Sequence, residues 1–326
     1  MRTDNHPRVS VVIPTRNRPE LLANLLFSII KQTIPPDEVI IVDDSDDFKT
    51  AELANVLRDA FSNKGVELKY LQGRKGTASI SNARNIGITT SKGDIIFFID
   101  DDIILKKNYI EEILKVYNMK PTAKGVQGFI INSFRPFGLR HILINSLRKV
   151  FFLNHFEKNK CTLRHGQCYP YAPEGIIECE WLHSSNMSLK KEIFTYLKFD
   201  NNFTFKGRSV AEDARLTSKV YKLYPHSLFM NPNAKVYHSP PVKKISKRHI
   251  LTSVLFLIHT AFCNPSFKGI IRGFWTFLGH FLTYGAYLLS LRDPNIFFYL
   301  IKCYFIVINH LKNIKRGDFK LFEDVA

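Results

Sequence analysis

The sequence predicts an α/β fold: a mostly parallel sheet covered by helices, followed by a helical tail that is both apolar and basic. Three observations predict it. Short apolar runs alternate with helix-period stripes over residues 9–99, and such alternation builds right-handed βαβ units. Acidic residues close several of the apolar runs, where ligands of such sheets gather. A composition shift near Pro240-Pro241 then separates residues 1–241 from residues 242–326.

The elements follow in order. Val9 to Ile13 reads as a buried strand. After Pro19, Leu21, Leu22, Leu25, Leu26, Ile29 and Ile30 form one stripe on a helix of about three turns, which Pro35-Pro36 ends. Val39 to Val42 is the second strand, 49–62 a helix, 66–71 a strand and 79–90 a helix. Ile95 to Ile99 is a strongly apolar strand. With 45% hydrophobic residues the chain can bury a core, which excludes wholesale disorder. Five scattered cysteines exclude a disulfide scaffold; their odd number, and no leader-like run before the first strand, predict a reducing compartment.

The strand ends carry the chemistry. The first closes in Pro14-Thr15-Arg16-Asn17, the second in Asp43-Asp44-Ser45, and Ile95–Ile99 in Asp100-Asp101-Asp102. Carboxylates crowded at one sheet mouth need compensating cations or donors. Two aspartates separated by one residue offer hard oxygens that suit Mg²⁺ or Mn²⁺, which fill their shells with water and substrate phosphates. The competing reading makes these acids turn formers and helix caps.

Taken together, the runs Val9 to Asn17 (VSVVIPTRN), Val42 to Ser45 (VDDS), Ser81 to Gly87 (SNARNIG), Phe98 to Asp102 (FIDDD) and Ala211 to Leu216 (AEDARL) resemble the successive blocks of family 2 glycosyltransferases of the GT-A fold. The resemblance covers about residues 8–241. It implies a nucleotide-diphosphate sugar donor, Mg²⁺ or Mn²⁺, and an inverting single displacement. Carried over, Pro14 and Thr15 line the base and ribose, Asp44 accepts from the base, and Arg84 lies beside the nucleotide. Asp100 contacts ribose or metal, and Asp102 is the principal metal ligand, with Asp101 the alternative in a triple-aspartate motif. His238 completes the metal shell as in some relatives, unless it is an ordinary polar residue near the linker. Asp213 is the catalytic base, which the attack of a hydroxyl requires. Glu212 is the more structural member of its pair, beside the acceptor site, and helps charge a helix N-terminus. Trp181, in WLHSSNMS, stacks on an acceptor sugar or fills the core. Residues 201–210 read as a loop over the donor, with Lys206 or Arg208 near phosphate.

Other motifs are weaker. Cys161, His165, Cys168 and Cys179 suggest zinc, but gaps of six and ten residues between successive cysteines give no Cys-x-x-Cys pair. Asn186-Met-Ser188 and Asn202-Phe-Thr204 match the glycosylation pattern, which without a leader reads as coincidence.

The net charge of +17 divides unevenly: residues 1–241 carry 34 basic and 25 acidic residues, and residues 242–326 carry 12 and 4. In the tail, 250–264, 273–291 and 296–308 are apolar and basic clusters flank them. Interfacial or re-entrant helices, spanning helices and a soluble helical subdomain all fit. The expectation is a glycosyltransferase domain over 1–241 and a membrane-associating tail over 242–326, acting at the cytoplasmic face on a lipid-linked or cell-surface glycan. Transfer to a polyprenyl phosphate is the rival activity. A nucleic-acid partner is not expected, since no zinc-finger or RRM-type block accompanies the basic charge.

Overall fold

A computed structural model describes residues 6–73, 79–133, 138–163, 167–201, 204–205, 208–209, 211–239, 246–262, 267–290, 294–316 and 322. In chain order the elements are β1 (Val9–Thr15), α1 (Pro19–Ile30), β2 (Glu38–Asp43), α2 (Lys49–Ser62), β3 (Glu67–Gln72), α3 (Ile80–Thr90), β4 (Ile95–Ile99), β5 (Ile103–Leu105), α4 (Tyr109–Met119) and β6 (Gly125–Ile130). There follow α5 (Gly138–Val150), β7 (His155–Glu157), β8 (Cys168–Pro170), β9 (Ile177–Glu178), β10 (Asn186–Lys190) and a 3₁₀ turn at Lys191–Thr195. Then come β11 (Thr204–Phe205), β12 (Arg208–Ser209), α6 (Glu212–Leu223), β13 (Leu228–His238), α7 (Lys247–Phe262), α8 (Phe267–Ser290), α9 (Pro294–Asn309) and α10 (Leu311–Arg316).

These gather into two compact units. The first comprises residues 1–133, 173–201 and 212–241; the second takes 134–172, 202–211 and 242–326. Within the first, the main sheet runs β3-β2-β1-β4-β10-β6-β13-β5, with β9 beside β13. The pairs β1–β2, β2–β3, β1–β4 and β6–β13 are parallel. β10 runs antiparallel between β4 and β6, and β5 and β9 run antiparallel to β13. The sheet is therefore the mostly parallel one expected.

Local chemistry explains the elements. β1, β2 and β4 are buried along their whole length, as strands covered on both faces must be. Pro19 opens α1, and Leu22, Leu25, Leu26 and Ile29 turn its apolar stripe inward, each fully buried leucine contributing about 1.5–3 kcal/mol. Ser79 caps α3 by accepting from Asn82 N. The helix approaches β1 at Gly87, where a Cβ would lie 2.2 Å from Val12 Cγ1.

The second unit has its own core: Ile250, Leu251, Val254 and Leu255 of α7 meet Leu288 of α8 and Leu300, Cys303 and Val307 of α9. The described residues of the three apolar stretches of the tail thus lie in helices that pack on one another. Among the described residues no helix is long and apolar enough to cross a membrane.

The α3–β1 approach carries a prediction. Gly87→Ala forces a methyl into Val12; overpacking costs about 1–3 kcal/mol and helix propensity returns about 1, so the net loss is up to about 2 kcal/mol. The urea midpoint of the variant reads it directly.

Candidate active site

Strands β2, β1 and β4 are neighbours and parallel, so their carboxyl ends lie side by side. This puts Asp43-Asp44, Pro14-Thr15 and Asp100-Asp101-Asp102 on one rim. The acids then divide by what they touch.

Asp43 is spent on the fold. Its Oδ1 accepts from Ser45 N at 2.9 Å and its Oδ2 from the Tyr70 hydroxyl at 2.9 Å. Burial and this carboxylate push the Tyr70 phenol up to about 12, so it stays a donor. Asp44 differs: its Oδ1 is buried with no hydrogen bond among the described residues. Gly73 leaves the space beside it, since a Cβ there would stand 1.8 Å from that oxygen. Burial raises the Asp44 carboxyl, partly offset by the Ser79 backbone N–H and by Arg16. A buried acceptor lacking a donor is a place for a ligand's N–H groups.

The triple aspartate divides in the same way. Both oxygens of Asp101 are engaged, Oδ2 by the Thr15 hydroxyl at 2.9 Å and Oδ1 by Arg18 at 3.0 Å. Burial still pushes Asp101 up to about 6. Asp102 is also buried, but its Oδ1 makes no hydrogen bond among the described residues and lies 3.3 Å from His238 Nε2. Burial raises this carboxyl, yet His238 and Arg18 outweigh it and hold Asp102 below the usual carboxylate range. His238 arrives through the antiparallel pairing of β13 with β5, which sets it opposite Ile103, the residue after Asp102. Asn132 clamps its backbone from both sides. A deprotonated carboxylate oxygen without a donor, next to an imidazole, is a donor set that fits Mg²⁺ or Mn²⁺.

Arg84 occupies the centre. Its side chain is fully buried and bridges two acids, with Nη2 on Asp100 Oδ1 at 2.8 Å and Nη1 on Glu212 Oε1 at 2.7 Å. The Phe199 ring covers the guanidinium at 5.3 Å. Burial and the neighbouring Asp213 push Glu212 up to about 7 against the pull of Arg84. Ala211 takes a left-handed φ of +49° just ahead of α6, a conformation that costs free energy for a residue with a Cβ.

Asp213, in the first turn of α6, accepts from Ala214 N at 2.7 Å and Ser184 N at 3.1 Å. Thr217 ties the same helix to the loop before β10, donating to Asp213 O and accepting from Leu182 N. Gln127 Oε1 holds His183 N at 2.7 Å, so this irregular segment is pinned from the sheet side as well. His183 itself lies among Asp213, Asp100, His238 and Arg84; burial dominates and keeps its imidazole below the ordinary range, neutral near pH 7. Ser185 N donates to its Nδ1 at 3.3 Å.

The structure thus brings Pro14, Thr15, Asp44, Arg84, Asp100, Asp101, Asp102, Glu212, Asp213 and His238 into one unit. Trp181 is only 4% exposed and lies 6.1 Å from His183, so it packs beneath the site and presents no open stacking face. Lys206 lies outside the described residues, as does the side chain of Arg208. Asn186 is fully buried in β10, which closes that sequon; Asn202 lies outside the described residues. Cys179 belongs to the first unit and Cys161 and Cys168 to the second. Two residues escaped the sequence reading. Arg18 follows the first motif directly, and His183 sits two places after Trp181, yet nothing in their spacing marks either as a neighbour of the acids.

Two expectations follow. Arg84→Met strands two carboxylates and should cost about 3–5 kcal/mol of stability, read as a lower urea midpoint. Glu212 binds its proton more tightly folded, at about 7, than at its ordinary 4.5. Its contribution is therefore full at low pH and is lost as pH climbs from about 4.5 through 7. Glu212→Gln should flatten that decline in a urea series from pH 4.5 to 8.

Comparison with known proteins agrees with this geometry. The chain is 27% identical over 230 residues to glycosyltransferase GlyG of Streptococcus pneumoniae, covering 70% of each chain. It is 26% identical over 266 residues to the poly(ribitol-phosphate) β-N-acetylglucosaminyltransferase TarP of Staphylococcus aureus, covering 75% of this chain and 76% of that one. In fold it is similar to the mannosyltransferase PcManGT of Pyrobaculum calidifontis, solved with GDP-Man and Mn²⁺, with a TM-score of 0.56 at 18% identity over 99% of this chain and 87% of that one. The pattern of "Glycosyl transferase family 2" matches residues 10–176. With its strand-end acids and GT-A-like sheet, this chain belongs to glycosyl transferase family 2 and is a glycosyltransferase.

Proposed function

We propose that the protein is an inverting, metal-dependent transferase. It moves a sugar from a nucleotide-diphosphate donor, by default a uridine diphosphate sugar, to a hydroxyl of a lipid-linked or cell-surface glycan. The observation that carries the reading is the bridge that buried Arg84 makes between Asp100, in the aspartate run whose Asp102 lies beside His238, and Glu212, the neighbour of Asp213.

Each group has a task. Asp44 Oδ1 accepts from the nucleobase, with Pro14 and Thr15 along the base and ribose. Asp102, Asp100 and His238 would hold Mg²⁺ or Mn²⁺. When bound, that ion neutralises charge on the departing diphosphate as a Lewis acid. Asp101, held by Thr15 and Arg18, keeps the rim in register. Asp213 receives the proton of the attacking hydroxyl, oriented by Ser184 N and the first turn of α6. Glu212 keeps Arg84 in place beside the acceptor side of the site. The similarity to TarP, a poly(ribitol-phosphate) β-N-acetylglucosaminyltransferase, supports a surface-polymer acceptor.

The second unit supports action at the cytoplasmic face of a membrane. α5 buries none of its residues and exposes Leu139, Leu143 and Leu147. α8 and α9 expose Phe274, Leu282, Phe298 and Phe305. Apolar helix faces beside a basic excess of 12 to 4 over residues 242–326 suit an anionic bilayer surface. α5 lies outside the tail to which the sequence analysis assigned this role.

Three experiments check the proposal. Nucleotide release from a panel of nucleotide sugars, with Mn²⁺ or with EDTA, should single out one donor and vanish with EDTA. Asp102→Asn should lose it too. Metal-independent release, or a folded protein with no metal-dependent nucleotide binding, overturns the reading. Asp213→Asn should cut transfer by about 10²–10⁴-fold while donor binding persists; full transfer would instead favour a polyprenyl phosphate acceptor, which needs no base. In flotation with vesicles containing anionic phosphatidylglycerol the full chain should rise with the lipid. Leu143→Glu combined with Phe274→Glu should leave it in the pellet fraction.

A further inference from the structure

We propose that the second unit carries a zinc site, separate from the sheet rim, formed by His155, Glu157 and Cys168 with Cys161 beside them. The site follows from strand geometry. β7 and β8 pair in parallel with His155 opposite Cys168. Paired residues share a face, and alternation along β7 puts Glu157 on that face as well. One ligand atom from each of His155, Glu157 and Cys168 falls within 4.8 Å of the others. A tetrahedral zinc with bonds of about 2.0–2.3 Å needs ligand atoms about 3.3–3.6 Å apart, so closure asks for a shift of roughly 1 Å.

The details agree with coordination. His155 is 2% exposed, and Cys161 and Cys168 are fully buried. The His155 Nδ1 lies 3.1 Å from Leu153 O, the backbone partner that directs a donating Nδ1–H and leaves Nε2 as the ligand atom. Nε2 faces Glu157 Oε1 at 3.8 Å. Cys168 N donates to Thr162 O at 2.8 Å, which holds the residue after Cys161 against Cys168. The Cys168 thiol also points to Lys160 O at 3.4 Å. Glu157 already pairs with Lys149 and Lys160, which makes it the weakest of the three; Cys161, whose thiol lies outside the 4.8 Å group, has to move in to take the fourth position. On binding, each thiol gives its proton to solvent and zinc takes the thiolate. Sulfur, imidazole and carboxylate together select zinc over Mg²⁺ or Mn²⁺, so the ion is distinct in kind from the one at Asp102. It would tie β7 to β8, while α5 is joined to β7 separately by Asn145, which pairs with the backbone N and O of Phe156.

Of the residues weighed for zinc in the sequence, Cys168 lies in this group, Cys179 belongs to the first unit and His165 lies outside the described residues, while His155 and Glu157 carry no spacing motif.

The test is metal content of the full chain purified from zinc-supplemented cells. About one zinc per chain is expected, released when the thiols are titrated with a mercurial and retained in Asp102→Asn. Cys161→Ser with Cys168→Ser should fall to buffer background. Should that variant fail to fold, Co²⁺ exchange into the unaltered chain gives an independent reading: a thiolate-to-cobalt charge-transfer band is expected. Neither zinc nor that band in the unaltered chain overturns the proposal. So does full zinc in the double variant, or an intact mass two hydrogens lighter, which marks a Cys161–Cys168 disulfide.

Discussion

The site depends on one buried cation. Arg84 has no exposed side-chain surface, so its charge persists only because Asp100 and Glu212 contact it directly and Asp213 lies close by. Removing a guanidinium from water costs several kcal/mol, which only excellent geometry repays. In exchange, α3 is bound to the end of β4 and to the start of α6. Those are the elements that carry Asp100-Asp101-Asp102 and Glu212-Asp213.

Around that centre, neighbouring acids acquire different characters from their contacts alone. Asp43 and Asp101 have both oxygens engaged, whereas Asp44 and Asp102 each keep a buried oxygen without a hydrogen bond among the described residues. The first pair maintains the turns, and the second pair each keeps one acceptor oxygen over. A strand-end aspartate is thus a turn former when both oxygens are engaged and a candidate ligand when one is not.

The second unit follows another rule. α7, α8 and α9 bury apolar surface on one another, while α8 and α9 also expose Phe274, Leu282, Phe298 and Phe305. The proposed membrane role rests on these exposed faces and on the basic excess of residues 242–326.

Much was legible in the chain itself. β1, β2, β4 and the helices between them were readable because period 2 and period 3.6 are local signals, and Pro19 and Ser79 mark helix starts locally too. The strand-end acids and the family blocks were legible for the same reason. What only tertiary structure decided is which residues face each other. Antiparallel β13 brings His238 to Asp102 across more than a hundred residues, and the loop pinned by Gln127 delivers His183. The pairing of β7 with β8 gathers His155, Glu157 and Cys168. Sequence spacing carries no information about such register, because it is set by the packing of whole strands and not by any residue near the site.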